Sequence, residues 1–149
     1  MRDAKAYCNR GLVHHKKGRY DCAIGDYNRA IEIDPRDVEA YFGRGNAYKD
    51  LGQYDRATII EDYDLNNPND LEQIMRNYSG QYDHAIEDYD RALEINPSYA
   101  EVYNNRAIVY YCKGEYDKAW LDIHKAQGLG IQVNPQLLEL LRQASGRQG

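Results

Sequence analysis

Gly18-Arg19-Tyr20-Asp21-Cys22-Ala23 is the stretch that decides the fold, because its pattern, Gly-x-Tyr-Asp-x-Ala, returns three times: at Gly52 to Ala57, Gly80 to Ala85 and Gly114 to Ala119. The glycines are 34, 28 and 34 residues apart. A second register interleaves with the first. All four prolines follow Asp or Asn, at Asp34-Pro35, Asn67-Pro68, Asn96-Pro97 and Asn134-Pro135. A fixed period of this length marks an array of like units, each too small to bury a core alone.

One unit reads physically as two helices. From Val38 to Lys49 there is no proline, and Tyr41, Gly45 and Tyr48 recur at helical spacing. Gly52 is expected to cap that helix in the left-handed region. Tyr54 and Asp55 open the next helix, with Asp55 near its positive end. Pro35 and Pro97 then close the second helices of their units, since a residue before proline is pushed out of the helical region. Each helix is roughly 14 residues, hence about 21 Å long. Small residues at Gly11, Gly45 and Ala107 are expected to face Ala23, Ala57 and Ala119, letting paired helices approach closely. Ala30, Ala92 and Ala126 leave room for the next unit.

These residues, with the Gly-x-Tyr turn, Ala85, Tyr27 and Tyr89, resemble the tetratricopeptide repeat (TPR). The resemblance covers nearly the whole chain. It implies an all-α fold: a right-handed superhelical array of antiparallel helix hairpins, a TPR-like α-solenoid of about four repeats plus a C-terminal capping helix. The expected repeats span about 4–37, 38–68, 69–99 and 100–131, as one domain over 1–149. The capping helix, 134–145, has Asn134 as N-cap, Pro135 at its first position and Leu137, Leu138, Leu140 and Leu141 to pack on the fourth unit. Trp120 is expected to pack against it.

The period fails between 56 and 80. Most of the loss falls in the first helix of the third unit, where Leu71, Ile74, Met75 and Tyr78 still trace an amphipathic face and Gln73 replaces a small residue. In the second helix of unit two, Ile60-Glu61-Asp62-Tyr63-Asp64 copies Ile86-Glu87-Asp88-Tyr89-Asp90 but lies two residues later relative to its alanine, as though Thr58-Ile59 were inserted. A tolerated insertion or deletion, a hinge between residues 1–65 and 69–149, and a helix-exchange site all fit. The N-terminal unit has no cap of its own, which suits a piece of a longer array or end-to-end association through that unit or the irregular third.

Composition narrows function. The chain of 149 residues is 42% hydrophobic and carries 15 Tyr against one Phe and one Trp. Tyrosine packs its ring while its hydroxyl reaches water, which suits thin layers. A net charge of −5 without a basic stripe argues against nucleic acid, and no polybasic or apolar segment points to a membrane. Cys8, Cys22 and Cys112 lack CxxC spacing and read as reduced thiols of a cytoplasmic protein, although a secreted parent with its signal trimmed would look the same. His14, His15, His84 and His124 have no metal-ligand spacing and read as surface or edge histidines. Neither catalytic residues, nor a metal, nor a cofactor is expected, and the chain is read as a non-enzyme.

The resemblance implies that first helices line a concave groove that holds a peptide or helix of a protein partner, as in an adaptor or scaffold. Carried over unit by unit, the groove candidates are Asn9 and Leu12 beside Cys8, then Phe42, Asn46 and Lys49 beside Gly43, then Asn104, Asn105, Ile108 and Tyr111. Leu71 and Ile74 are candidates in the third unit. Asn can donate to and accept from a peptide backbone at once. Chaperone-tail binders of the family clamp a carboxylate with Lys and Asn, then Asn, then Lys and Arg. Units one to three offer Cys8 and Leu12, Gly43, then Asn67 and Leu71. Units two to four offer Phe42 and Asn46, Leu71, then Glu101 and Asn105. Without paired cations an EEVD-type tail is not the expected ligand. The alternatives are a regulatory part of a larger enzyme or assembly, and a self-associating structural repeat.

Overall fold

The computed structural model describes residues 3–62 and 66–147. They form seven helices: α1 (Ala4–Lys16), α2 (Tyr20–Ile33), α3 (Val38–Asp62), α4 (Pro68–Ile95), α5 (Ala100–Cys112), α6 (Tyr116–Gly128) and α7 (Pro135–Ser145). No strand occurs among the described residues. The chain divides into two compact units, residues 1–91 and 92–149.

Two hairpins are regular. Asp3 starts α1 by accepting the Lys5 amide at 2.8 Å. Gly18, at φ +72°, ends it, with Gly18 and Arg19 amides donating back to His15 and His14 carbonyls at 2.9 Å. Gly114, at φ +77°, repeats this turn between α5 and α6, where Gly114 and Glu115 amides reach Tyr111 and Tyr110. Both hairpins are latched by a bidentate ion pair across 16 residues. Arg10 donates Nε and Nη2 to Asp26 at 2.8 and 2.6 Å, and Arg106 does the same to Asp122 at 2.7 Å. Each arginine also lies over the ring of the tyrosine three residues earlier, Tyr7 or Tyr103.

The middle of the chain departs from expectation. Gly52 does not cap a helix, and neither Gly52 nor Gly80 has a positive φ. The chain runs helically through both, so α3 has 25 residues and α4 has 28. These lengths correspond to about 37 and 42 Å. The front half of α3 pairs with the rear half of α4. Arg44 donates Nε and Nη2 to Asp88 at 2.9 and 2.7 Å, 44 residues away rather than 16, the excess being the 28 residues from Gly52 to Gly80. A Cβ on Gly45 would lie 2.8 Å from the Tyr89 ring, and one on Gly52 would lie 2.8 Å from the Tyr82 ring. Tyr48 stacks on His84 at 5.0 Å between these two contacts. Positions 45, 48 and 52 therefore form one helical stripe that meets positions 89, 84 and 82 in turn.

The reason lies in which halves are intact. The α4 rear half keeps the spacing Ala85, Asp88, Tyr89, Ala92, matching Ala23, Asp26, Tyr27, Ala30 of α2. After Ala57 the corresponding Asp62-Tyr63 comes two residues late. On the other side, Arg10-Gly11, Arg44-Gly45 and Arg106-Ala107 are matched seven residues before Gly80 only by Glu72-Gln73, which has neither the cation nor the small residue. The intact first helix and the intact second helix find each other, and the two defective halves are left as extensions of α3 and α4. With α3 unbroken, Asp55 does not sit at a helix start. Burial, and then the charge of Asp21, push its carboxyl up.

Ala107 and Ala119 share one buried cluster, and the glycines make room for tyrosine rings. The Tyr27 ring lies 3.1 Å from a would-be Cβ at Gly11. Tyr27, Ala23 and Ala47 form one buried cluster beside Cys8 and Ile24. In residues 92–149, Ala107, Ala119, Trp120, Ile123, Val133, Leu137 and Leu141 form a second core. There Asn134 caps α7 by accepting the Gln136 amide at 2.8 Å, and Trp120 donates Nε1 to Ser145 Oγ at 3.1 Å. Leu140 points outward.

Candidate functional site

A groove of about 590 Å³ opens between α1 and the front of α3, within residues 1–91. One wall is the α1 face at Lys5, Cys8, Asn9, Leu12 and His15. The other is the α3 face at Glu39, Phe42, Gly43 and Asn46. Both walls use helical i, i+3, i+4, i+7 spacing, so each presents a single stripe. Tyr27 forms the floor, and Asp34 and Asp37 of the α2–α3 turn close one end.

Gly43 makes this floor. A Cβ there would overlap the Tyr27 ring and hydroxyl. Phe42 lies beside Tyr89, with ring centroids 6.3 Å apart. Tyr89 donates its hydroxyl to Asn46 Oδ1 at 2.6 Å, so one end of that amide is already committed to the core. Cys8 Sγ is 3.5 Å from Asp37 Oδ2. Burial, then the Asp37 carboxylate with Glu39 and Asp3 behind it, push the Cys8 thiol up to about 12. It is a proton donor at neutral pH, not a nucleophile. Burial likewise pushes the Tyr27 hydroxyl to about 12, with Cys8, Asp26 and Glu39 adding to it.

His15 ties the two walls together. Its Nε2 is 2.6 Å from Asp50 Oδ2 on α3. Burial raises the Asp50 carboxyl, but the His15 hydrogen bond and the Lys49 charge more than reverse this, leaving it below the usual carboxylate range. His14 and His15 are half-buried, and His14 Nε2 lies 3.7 Å from Asp26.

Six of the sequence-derived positions, Asn9 and Leu12 with Cys8, and Phe42 and Asn46 with Gly43, meet in this groove. Lys49 does not line it; its Nζ is 3.8 Å from Asp50. Asn104, Asn105, Ile108 and Tyr111 lie on α5 in the other unit. There Asn104 donates to Asn105 Oδ1 at 3.3 Å, while Ile108 and Tyr111 pack on the Ala107–Trp120 core. Leu71 and Ile74 have side chains outside the described residues. Sequence reasoning missed Lys5, His15, Tyr27, Asp34, Asp37 and Glu39. Lys5 and Glu39 were legible as the turn before Asn9 and Gly43 on the same stripes. Asp34 and Asp37 read only as turn residues, and Tyr27 only as core.

Helix pairs that repeat one ion-pair latch, two of them with the same Gly turn and two with a tyrosine ring on a glycine, define a helical repeat protein. The TPR repeat family model matches residues 15–52 and 75–114, more than half of the chain, and the chain belongs to the tetratricopeptide repeat family. The unmatched interval between those blocks falls on the extensions of α3 and α4. Human DnaJ homolog subfamily C member 7 is 29% identical over 119 residues, covering 73% of this chain and 24% of that protein. Human tetratricopeptide repeat protein 6 is 33% identical over 109 residues, covering 73% and 16%. The chain thus spans a quarter or less of these relatives. Among solved structures, the first TPR of Spaghetti (RPAP3) bound to HSP90 peptide SRMEEVD superposes with a TM-score of 0.70 at 21% identity, covering 96% of this chain and 90% of that one. The Arabidopsis OM64 TPR domain gives 0.70 at 16% identity, covering 96% and 94%. The fold is an all-α, TPR-like solenoid. Among the described residues no helix is long and apolar enough to cross a membrane, and no cluster of His, Cys, Asp or Glu is arranged to hold a metal.

Proposed function

We propose that this protein is a protein–protein interaction module that holds a segment of a partner in the α1–α3 groove. The observation that carries the reading is the convergence of Asn9, Leu12, Phe42 and Asn46 on one concavity floored by Tyr27. A solved TPR with the same fold holds a peptide, which supports the reading. The groove offers apolar surface at Leu12 and Phe42, and Asn9 offers both a donor and an acceptor to a peptide backbone. Binding without chemistry is the work such a site can do: its thiol is protonated, and its His15 is engaged by Asp50.

The same groove disfavours acidic C-terminal tails. Lys5 is the lysine on its lining, against Asp34, Asp37 and Glu39. A peptide ending in EEVD is expected to show no saturable binding. The test is selection of peptides from a displayed random library on the wild-type chain, followed by titration against Phe42→Ala. Enriched peptides should bind with micromolar Kd and weaken about tenfold or more in the variant. Their amide shift changes should map to Asn9, Leu12, Phe42 and Asn46. Failure to enrich any peptide, or binding indifferent to Phe42, would sink the reading.

A further inference from the structure

Resting on that groove reading, we propose that the segment it holds is cationic: a large apolar residue flanked within one or two positions by Arg or Lys. The groove is apolar along Leu12, Phe42 and the Tyr27 ring, and its end is acidic, with Asp34, Asp37 and Glu39 against the one ammonium of Lys5. Two of the three carboxylates are held in place before any ligand arrives. Asp34 Oδ1 accepts the Arg36 amide at 3.0 Å, and Asp37 Oδ1 accepts the Ala40 amide at 3.2 Å. Ordering them therefore costs little on binding. Their negative potential registers on a neighbour, since Asp37, Glu39 and Asp3 all act to keep the Cys8 proton in place.

The spacing on α3 sets the spacing in the ligand. Glu39 and Phe42 are one helical turn apart, about 5 Å along the axis. An extended chain advances about 3.3 Å per residue, so a side chain resting on Phe42 places one or two residues further along beside Glu39 and Asp37. Arg and Lys suit that end because their aliphatic stems cover apolar surface while the charged head reaches the carboxylates. An acidic residue there would face like charge across a partly dry groove.

The test is fluorescence anisotropy with three labelled peptides that share one length and one Leu-Phe centre, flanked by Arg, by Gln or by Glu. On the full chain the Arg peptide should bind at least about tenfold tighter than the Gln peptide, the Glu peptide weakest, with the Arg advantage shrinking as salt rises. Asp37→Asn plus Glu39→Gln should erase the Arg advantage, bringing the Arg and Gln peptides to one affinity; Asn retains the helix cap that Asp37 provides. Phe42→Ala should weaken Arg and Gln peptides alike. Because the chain carries −5 overall, Glu87→Gln plus Glu139→Gln, which removes the same charge elsewhere, must leave the preference intact. Equal binding of Arg and Gln peptides, or an Arg preference that survives in the Asp37/Glu39 variant, overturns the proposal while leaving a binding groove standing. If none of the three peptides binds, the groove reading itself falls and this proposal with it.

Discussion

The α1–α2 hairpin and the α3–α4 pair use the same parts and assemble them differently. Both are latched by an Arg–Asp pair and by a tyrosine ring seated on a glycine, Tyr27 on Gly11 and Tyr89 on Gly45. In the first, the two halves are neighbours joined by the left-handed turn at Gly18. In the second, they are 28 residues further apart, and the glycines that begin the same motif, Gly52 and Gly80, are helical. The difference shows that the local turn signal is the weaker partner. A Gly-x-Tyr-Asp-x-Ala sequence permits a turn, but whether it forms depends on whether the helices on either side can latch. With a two-residue slip after Ala57 and Glu72-Gln73 on the other side, neither adjacent pairing can latch, and both turns are given up for one pairing that can.

That account exposes itself most in a deletion. Removing residues 53–80 joins Gly52 to Gln81-Tyr82-Asp83-His84-Ala85 and restores the motif with the 34-residue period. The shortened chain should fold cooperatively, with Gly52 moving to the left-handed region and the Arg44–Asp88 pair now 16 residues apart. Circular dichroism and urea unfolding would check this, and nuclear magnetic resonance would report the Gly52 conformation. An unfolded or molten product would mean that the defective halves hold the middle of the chain together.

A smaller effect separates the two latches themselves. The aspartates are equally buried, but the arginine is 63% exposed at Arg10 and 22% exposed at Arg44, where Asn28 also accepts Nη1 at 2.8 Å. Burial pushes the Asp88 carboxyl up against the pull of Arg44, so this site is poor in water. Arg44→Met should cost on the order of 3 kcal/mol, the scale for stranding a buried charge. Arg10→Met should cost clearly less, because water already reaches that guanidinium and screens its charge. Denaturant midpoints would measure both, and equal losses would contradict the distinction.

Most of the helices were legible because a 34-residue period repeats hydrophobic, glycine and proline positions together, each fixed by local physics. The start of α7 was legible from its own Asn134-Pro135 cap signal, and its contact with Trp120 from the leucines that follow. The long helices were not, because no residue near Gly52 or Gly80 encodes the choice. It rests on Arg44 meeting Asp88, and nothing in the spacing of adjacent units suggested that a first helix would pass over its own partner. The groove was half legible. Asn9, Leu12, Phe42 and Asn46 follow from stripe positions, whereas the acidic end depends on turn residues whose direction only the folded chain sets. Asn46 also turned out to serve the core through Tyr89 as well as the groove.

The finest test of the comparison is a sign. Gly18 and Gly80 begin the same motif, yet Gly18 sits at φ +72°, while Gly80 is helical with nothing within 4 Å of a would-be Cβ. Alanine at Gly18 must adopt the left-handed conformation, at a cost of about 1 kcal/mol. Alanine at Gly80 meets no obstacle and removes the backbone freedom that glycine loses on entering a helix, a gain of about 1 kcal/mol. Gly52 cannot serve as a second probe, because its Cβ would press on the Tyr82 ring at 2.8 Å. Thermal melts of Gly18→Ala and Gly80→Ala should therefore move in opposite directions by similar amounts. Were Gly80 a left-handed turn between two ordinary helices, both variants would be destabilised. A melting point that falls in Gly80→Ala would put the break back into α4 and end the case for helices that run through the motif.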